Sequence, residues 1–134
     1  DLLRDFWQKI FYNNLQDTLM TKDQMEQIVQ RQLDAYNRRD LINFCECYHS
    51  EVKVVNLISN QVICDGIERF KEIYKGLFES SPNLNAQIKS RLVLDSAIID
   101  EEFVSGASKY PNGLHAVAIY GFRDGKIDHV WFPR

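Results

Sequence analysis

Polar side chains that fall where an apolar one belongs are the residues to weigh first for chemistry, because a buried amide or acid needs a partner or a ligand. Gln32 is one: it interrupts the helical stripe Met25, Ile28, Val29, Leu33 and Tyr36 at i+3 from Val29 and i+7 from Met25. Asn56 is another, alternating with Val52, Val54 and Ile58 on one face of a strand. An amide can orient a carbonyl or a water but has no basicity for moving a proton between carbons. Glu102 is the third. In Asp100-Glu101-Glu102 the ordinary reading is an acidic turn facing water, but strand alternation puts Asp100, Glu102 and Val104 on one face. Were that face to turn inward, Glu102 would be the remaining candidate for a general base.

Tyr36, Tyr48, Tyr74 and Tyr120 add hydroxyls on otherwise apolar surfaces. Each reads either as a core aromatic whose hydroxyl reaches a backbone group or as a donor into a cavity. Tyr120 shares a strand face with Ala116, Ala118 and Phe122, and small alanines on a concave face leave room for a ligand. Cys45 and His49 have i, i+4 spacing, but a structural zinc site needs four ligands and Cys47 projects elsewhere, so no metal is expected. His115 and His129 have no nucleophile and acid in register with them. The chain has no phosphate-cradling glycine loop and no dinucleotide fingerprint, and no cofactor is expected.

The elements that must position these residues follow from periodicity. Residues 1–19 place Leu3, Phe6, Trp7, Ile10 and Phe11 on one face of an amphipathic helix whose polar face lacks the basic excess of a membrane-surface helix. Thr21 and Gln24 form a capping box that opens a second helix to about Arg39. Asp40 caps a short third helix with Leu41, Phe44, Cys45 and Tyr48 inward. A strand follows, with a turn at Ser59-Asn60 and a return strand at 61–64. Asp65-Gly66-Ile67-Glu68 then starts a helix through about Glu79, with Ile67, Phe70, Ile73, Tyr74 and Leu77 inward. Beyond Ser81-Pro82-Asn83 the pattern is a meander of strands over 86–94, 98–109, 114–123 and 126–132, with turn signals at Tyr110-Pro111-Asn112-Gly113 and Asp124-Gly125. Helices first and antiparallel strands afterwards is the α+β pattern.

With 134 residues, 45% apolar and 26% charged, the chain has the size and composition of one globular domain. A net charge of −3 with scattered basic residues argues against nucleic acid, and no run reaches the ~20 apolar residues of a membrane span. Three cysteines, an odd number in a chain that needs no staples, point to reduced thiols in a cytoplasm.

Several short motifs, in order, resemble one family. Tyr36-Asn37-Arg38-Arg39-Asp40, Tyr48-His49-Ser50-Glu51-Val52, Gly66 opening a helix with Phe70 and Tyr74, and Asp124-Gly125-Lys126-Ile127 leading to Trp131 are similar to the nuclear transport factor 2-like superfamily. Within it they resemble the SnoaL-like and steroid delta-isomerase-like branch. The resemblance implies a curved mixed sheet wrapped around N-terminal helices to form a conical cavity, a cystatin-like α+β barrel. It divides the chain into a helical extension at 1–19 and a cavity domain at 20–134. It also implies a homodimer through the sheet.

In isomerases of this kind a base on the first strand works with donors from the long helix and a late strand. Here those positions fall on Asn56, Gln32 and about Ala118, and the cyclase-type acid position falls on about Phe132, so the usual acids are missing. Tyr48 and Tyr74 match places where relatives carry network-forming tyrosines. The expectation is a cytoplasmic homodimer that binds a small, mostly apolar molecule through Gln32, Tyr36, Tyr48, Asn56, Tyr74 and Tyr120, with no nucleic-acid or membrane partner. Any turnover would be isomerase, cyclase or dehydratase chemistry without a cofactor, with Glu102 as the weak catalytic candidate. The alternative is a non-catalytic module in which helix 1–19 docks a partner.

Overall fold

The computed structural model describes residues 1–17 and 20–133, and within helix α1 the side chains only as far as Phe11. The last two residues of the helix expected over 1–19 therefore lie outside the described residues. Among the described residues four helices and six strands follow one another: α1 Leu2–Asp17, α2 Lys22–Arg38, α3 Leu41–Glu46, β1 Tyr48–Asn56, β2 Gln61–Asp65, α4 Ile67–Ser80, β3 Asn85–Val93, β4 Ala97–Ser105, β5 Leu114–Arg123 and β6 Lys126–Phe132. No helix among the described residues is long and apolar enough to cross a membrane.

The strands form one curved, unclosed sheet in the order β2-β1-β6-β5-β4-β3. All neighbours are antiparallel except β1 and β6, which run parallel with Val54 opposite Val130, so the sheet is mixed. The β5–β6 turn is made by Asp124 (φ 54°) and Gly125 (φ 76°), the left-handed pair that a tight hairpin requires. α2 packs on β3, β4 and β6, and α4 packs on β1 and β2. The core between helices and sheet holds Met25, Val29, Phe44, Val52, Phe70, Ile98 and Ile127, all essentially sealed from water.

The helix starts are set locally. Thr21 Oγ1 accepts from Gln24 N and Gln24 Oε1 accepts from Thr21 N, completing the capping box. Asp40 Oδ1 accepts from Asn43 N at the start of α3. Three expectations are corrected. Tyr48 does not extend α3 but opens β1, because α3 ends at Glu46 and Cys47 caps it. α4 starts from Gly66, at φ 91° and without a side-chain cap, because Asp65 is still paired to Lys53 as the last residue of β2. β4 stops at Ser105, since Gly106 turns to φ 76° and packs so closely on the Asn83 carbonyl that a β-carbon would collide with it. Residues 106–113 become a loop instead, held by a hydrogen bond from Ser108 N to the buried Ser81 Oγ at 3.0 Å.

The face of the sheet turned away from α2 and α4 carries an apolar row that crosses every strand. Val62, Val55, Trp131, Ile119, Ile99 and Leu92 are successive partners in the register. Val62 and Leu92 at its two ends are exposed. On α1, Leu3, Phe6, Trp7 and Phe11 are also exposed, each at half or more of its surface.

Candidate functional site

A cavity of about 210 Å³ opens between α2, α4 and the inner face of the sheet. α2 supplies Gln32, Leu33 and Tyr36, β1 supplies Tyr48, and α4 supplies Tyr74 and Leu77. The far wall is Glu102 and Val104 from β4, Ala116 and Tyr120 from β5, and Val130 and Phe132 from β6. Alternation on these strands explains the set: Glu102 and Ala116 face each other in register and project inward with the buried Val104 and Ala118. Small alanines there leave the space that bulkier residues would fill.

A hydrogen-bonded chain closes the buried end. Tyr48 Oη donates to Gln32 Oε1 at 2.7 Å, and Gln32 Nε2 donates to the Val29 carbonyl at 3.0 Å and to Tyr120 Oη at 3.3 Å. The Val29 carbonyl can only accept, which fixes the amide with its nitrogen toward Val29 and its oxygen toward Tyr48. Tyr120 Oη accepts from Gln32 and keeps its own proton to donate, and its residue borders the cavity. The polar residue that interrupted the helical stripe is thus a bridge between two strands.

Aromatic rings pack behind this chain. Phe70 lies 4.4 Å from Tyr48 and 4.6 Å from Tyr74, centroid to centroid, and Phe44 lies 4.7 Å from Tyr74. Burial pushes the hydroxyls of Tyr36, Tyr48, Tyr74 and Tyr120 up from the ordinary tyrosine value of 10.0, and the charge of Glu102 adds to the rise at all four.

The shifts fix a sign for alkaline stability. The unfolded chain releases these phenolic protons near pH 10 while the folded chain keeps them, so this contribution is whole below about pH 10 and declines above it. In a spectroscopic titration the four phenolates are expected to form only as near-ultraviolet circular dichroism is lost. Their formation in a still-folded chain would contradict the burial described.

Of the residues singled out from sequence, Gln32, Tyr36, Tyr48, Tyr74, Tyr120 and Glu102 all border this cavity. Asn56 does not. Its Oδ1 accepts from Ile58 N at 3.0 Å and Ser59 N at 3.1 Å, so it caps the β1–β2 turn. β1 keeps its register with β6 as far as Asn56 opposite Phe132 and ends there, which leaves Ile58 in the turn and cuts off the expected alternation. Glu102 takes the inward alternative to an acidic turn. Glu101, on the opposite face, instead accepts from Ser90 Oγ at 2.9 Å and pairs with His115 Nε2 at 2.8 Å.

Sequence reasoning missed Lys109 and Tyr110 of loop 106–113, which also border the cavity; Tyr110-Pro111-Asn112-Gly113 carried only a turn signal. It also missed the pairing of Asp100 with Arg91, which binds the carboxylate through Nε at 2.7 Å and Nη2 at 3.0 Å. No group of three or more His, Cys, Asp or Glu residues among those described could hold a metal ion.

No curated protein sequence matches the chain. Solved structures do. An uncharacterised cystatin-fold protein from Novosphingobium aromaticivorans superposes with a TM-score of 0.74 at 22% identity, covering 86% of this chain and 99% of its own. A candidate SnoaL-like polyketide cyclase from Jannaschia sp. gives 0.68 at 19% identity over 87% and 88%, and a candidate ketosteroid isomerase from Kribbella flavida gives 0.67 at 14% over 84% and 79%. At these identities the likeness establishes the fold. The sequence itself matches the family model "SnoaL-like domain" across residues 29–130, a span running from α2 to β6 that includes most of the cavity wall, and the chain belongs to that family.

Proposed function

We propose that the chain takes a small, mostly apolar molecule into this cavity and orients it through Gln32, Tyr36, Tyr48, Tyr74 and Tyr120. The observation that carries this reading is the Tyr48–Gln32–Tyr120 chain at the buried end of a cavity whose other walls are largely aliphatic and aromatic. Concave apolar space with a few fixed polar groups is the usual form of a ligand site. If the molecule is turned over, the geometry favours proton transfer without a cofactor. Glu102 would accept a proton and Tyr120 would donate to an oxygen that gains charge, as isomerase, cyclase or dehydratase chemistry requires. The names of the Jannaschia and Kribbella proteins agree with that class. Three free cysteines, all buried, fit a reducing cytoplasm.

Native mass spectrometry of the gently purified protein, set against its denatured mass, tests the reading. The expected spectrum carries a discrete added mass that disappears on denaturation and from Gln32→Leu. An added mass retained equally by that variant would place the ligand elsewhere.

The same proposal includes a homodimer joined through the outer apolar row, whose ends Val62 and Leu92 are exposed and whose Ile99, Ile119 and Trp131 are half-buried. Trp131→Glu puts a charge at its centre and is expected to halve the mass seen by light scattering; an unchanged mass would remove the sheet-face dimer. The exposed stripe of α1 favours a second reading, an interaction module without turnover. Deleting residues 1–19 separates the two: the oligomer survives on the first reading and dissociates on the second.

A further inference from the structure

We infer that the molecule this cavity takes is a compound of one ring, or at most two fused rings, with a hydrogen-bond acceptor at one side and a donor at the other. The inference rests on the cavity-binding reading and narrows it. Size comes first. A dry cavity of about 150 Å³ accommodates benzene, so 210 Å³ admits a ring with a few further atoms. A four-ring skeleton would leave most of its length outside, past the exposed Lys109 of loop 106–113.

Polarity then sets the pattern on that ring. At the buried end Tyr120 presents a proton, because its oxygen is engaged by the Gln32 amide. An oxygen acceptor on the ligand is the complement. Glu102 borders the same space and accepts, so a hydroxyl or N–H on the ligand is its complement. The wall also includes Phe44, Tyr74 and aliphatic side chains, suited to the faces and edges of one ring. The chain thus resembles in fold proteins named for steroids and polyketides while enclosing room for something smaller.

The test is titration of the full, nitrogen-15-labelled chain with three probes, followed at the Gln32 side-chain amide, the only carboxamide bordering the cavity among the described residues. 4-Hydroxyacetophenone has one ring, a carbonyl acceptor and a hydroxyl donor. Toluene has the ring without polar groups, and androst-4-ene-3,17-dione has four rings. The expected result is a Kd for 4-hydroxyacetophenone at least tenfold below that for toluene, with no shift of the Gln32 amide by the steroid. A steroid that moves this amide at equal or lower concentration overturns the size limit and leaves the cavity-binding reading standing. Toluene binding as tightly as 4-hydroxyacetophenone overturns the polar pattern. Silence from all three probes overturns both this inference and the cavity-binding reading.

Discussion

Replacing Arg91 by methionine is expected to lower the unfolding free energy by about 3–5 kcal/mol, measured by urea denaturation, because it strands a buried charge. Asp100 is fully buried, and its two oxygens are bound by Arg91 Nε and Nη2 in a fork. Arg91 Nη1 also donates to Gln30 Oε1 at 3.2 Å and lies 3.8 Å from Glu26, so one guanidinium fastens α2 to the β3–β4 hairpin. Its side chain is only 13% exposed, which limits how far water could replace it. Removing both partners should do less harm than removing one. The double variant Arg91→Met, Asp100→Leu is therefore expected to be more stable than Arg91→Met alone. A single variant within about 1 kcal/mol of the parent would show that the pair is not desolvated as described.

The second large effect is expected at Gln32. Gln32→Leu is close to the parent in volume and restores the helical stripe, and by hydrophobic patterning alone it should stabilise the chain. It also deprives Tyr48 of its acceptor and Tyr120 of its donor, inside a space where both hydroxyls are buried. At about 1–3 kcal/mol for each group left unsatisfied, a net loss of about 2–4 kcal/mol is expected. A cycle with Tyr48→Phe separates the contributions: the double variant should recover part of the loss, since the stranded Tyr48 hydroxyl is then gone. Strict additivity would mean that the two residues do not act as one network.

The comparison of these two networks explains what the sequence disclosed and what it withheld. Gln32 was visible because helical periodicity is strong over 17 residues and a single polar residue in the buried stripe is conspicuous. Asp100 was hidden because it sits among Glu101 and Glu102, where charge density reads as solvent, and because its partner lies on a different strand. The fold class and the order of elements follow from local signals: the capping box at Thr21, the cap at Asp40 and the Asp124-Gly125 turn each have their expected geometry. Asn56 went astray for the opposite reason. Strand alternation says nothing of where a strand stops, and β1 stops at Asn56, whose side-chain oxygen is taken up by the Ile58 and Ser59 N–H groups of the turn. Loop 106–113 could not be placed over the cavity from composition, because its position depends on Gly106 meeting the Asn83 carbonyl and on Ser81 holding Ser108, both long-range contacts.

The parallel seam between β1 and β6 bears on how the molecule comes into being. Val54 finds Val130 only after about 75 further residues have been synthesised, and β6 is also the link to β5. Until it arrives, the growing chain holds two disconnected pieces, a β1–β2 hairpin and a β3–β4–β5 meander, each with an open edge. Loop-closure entropy across that distance must be met before the seam gives anything back, which predisposes the chain to slow folding. During that interval the hairpin shows Ile58, Val62 and Ile63, apolar residues that stay exposed even in the finished fold. Strand-to-strand association between two such hairpins is the error that the late strand prevents.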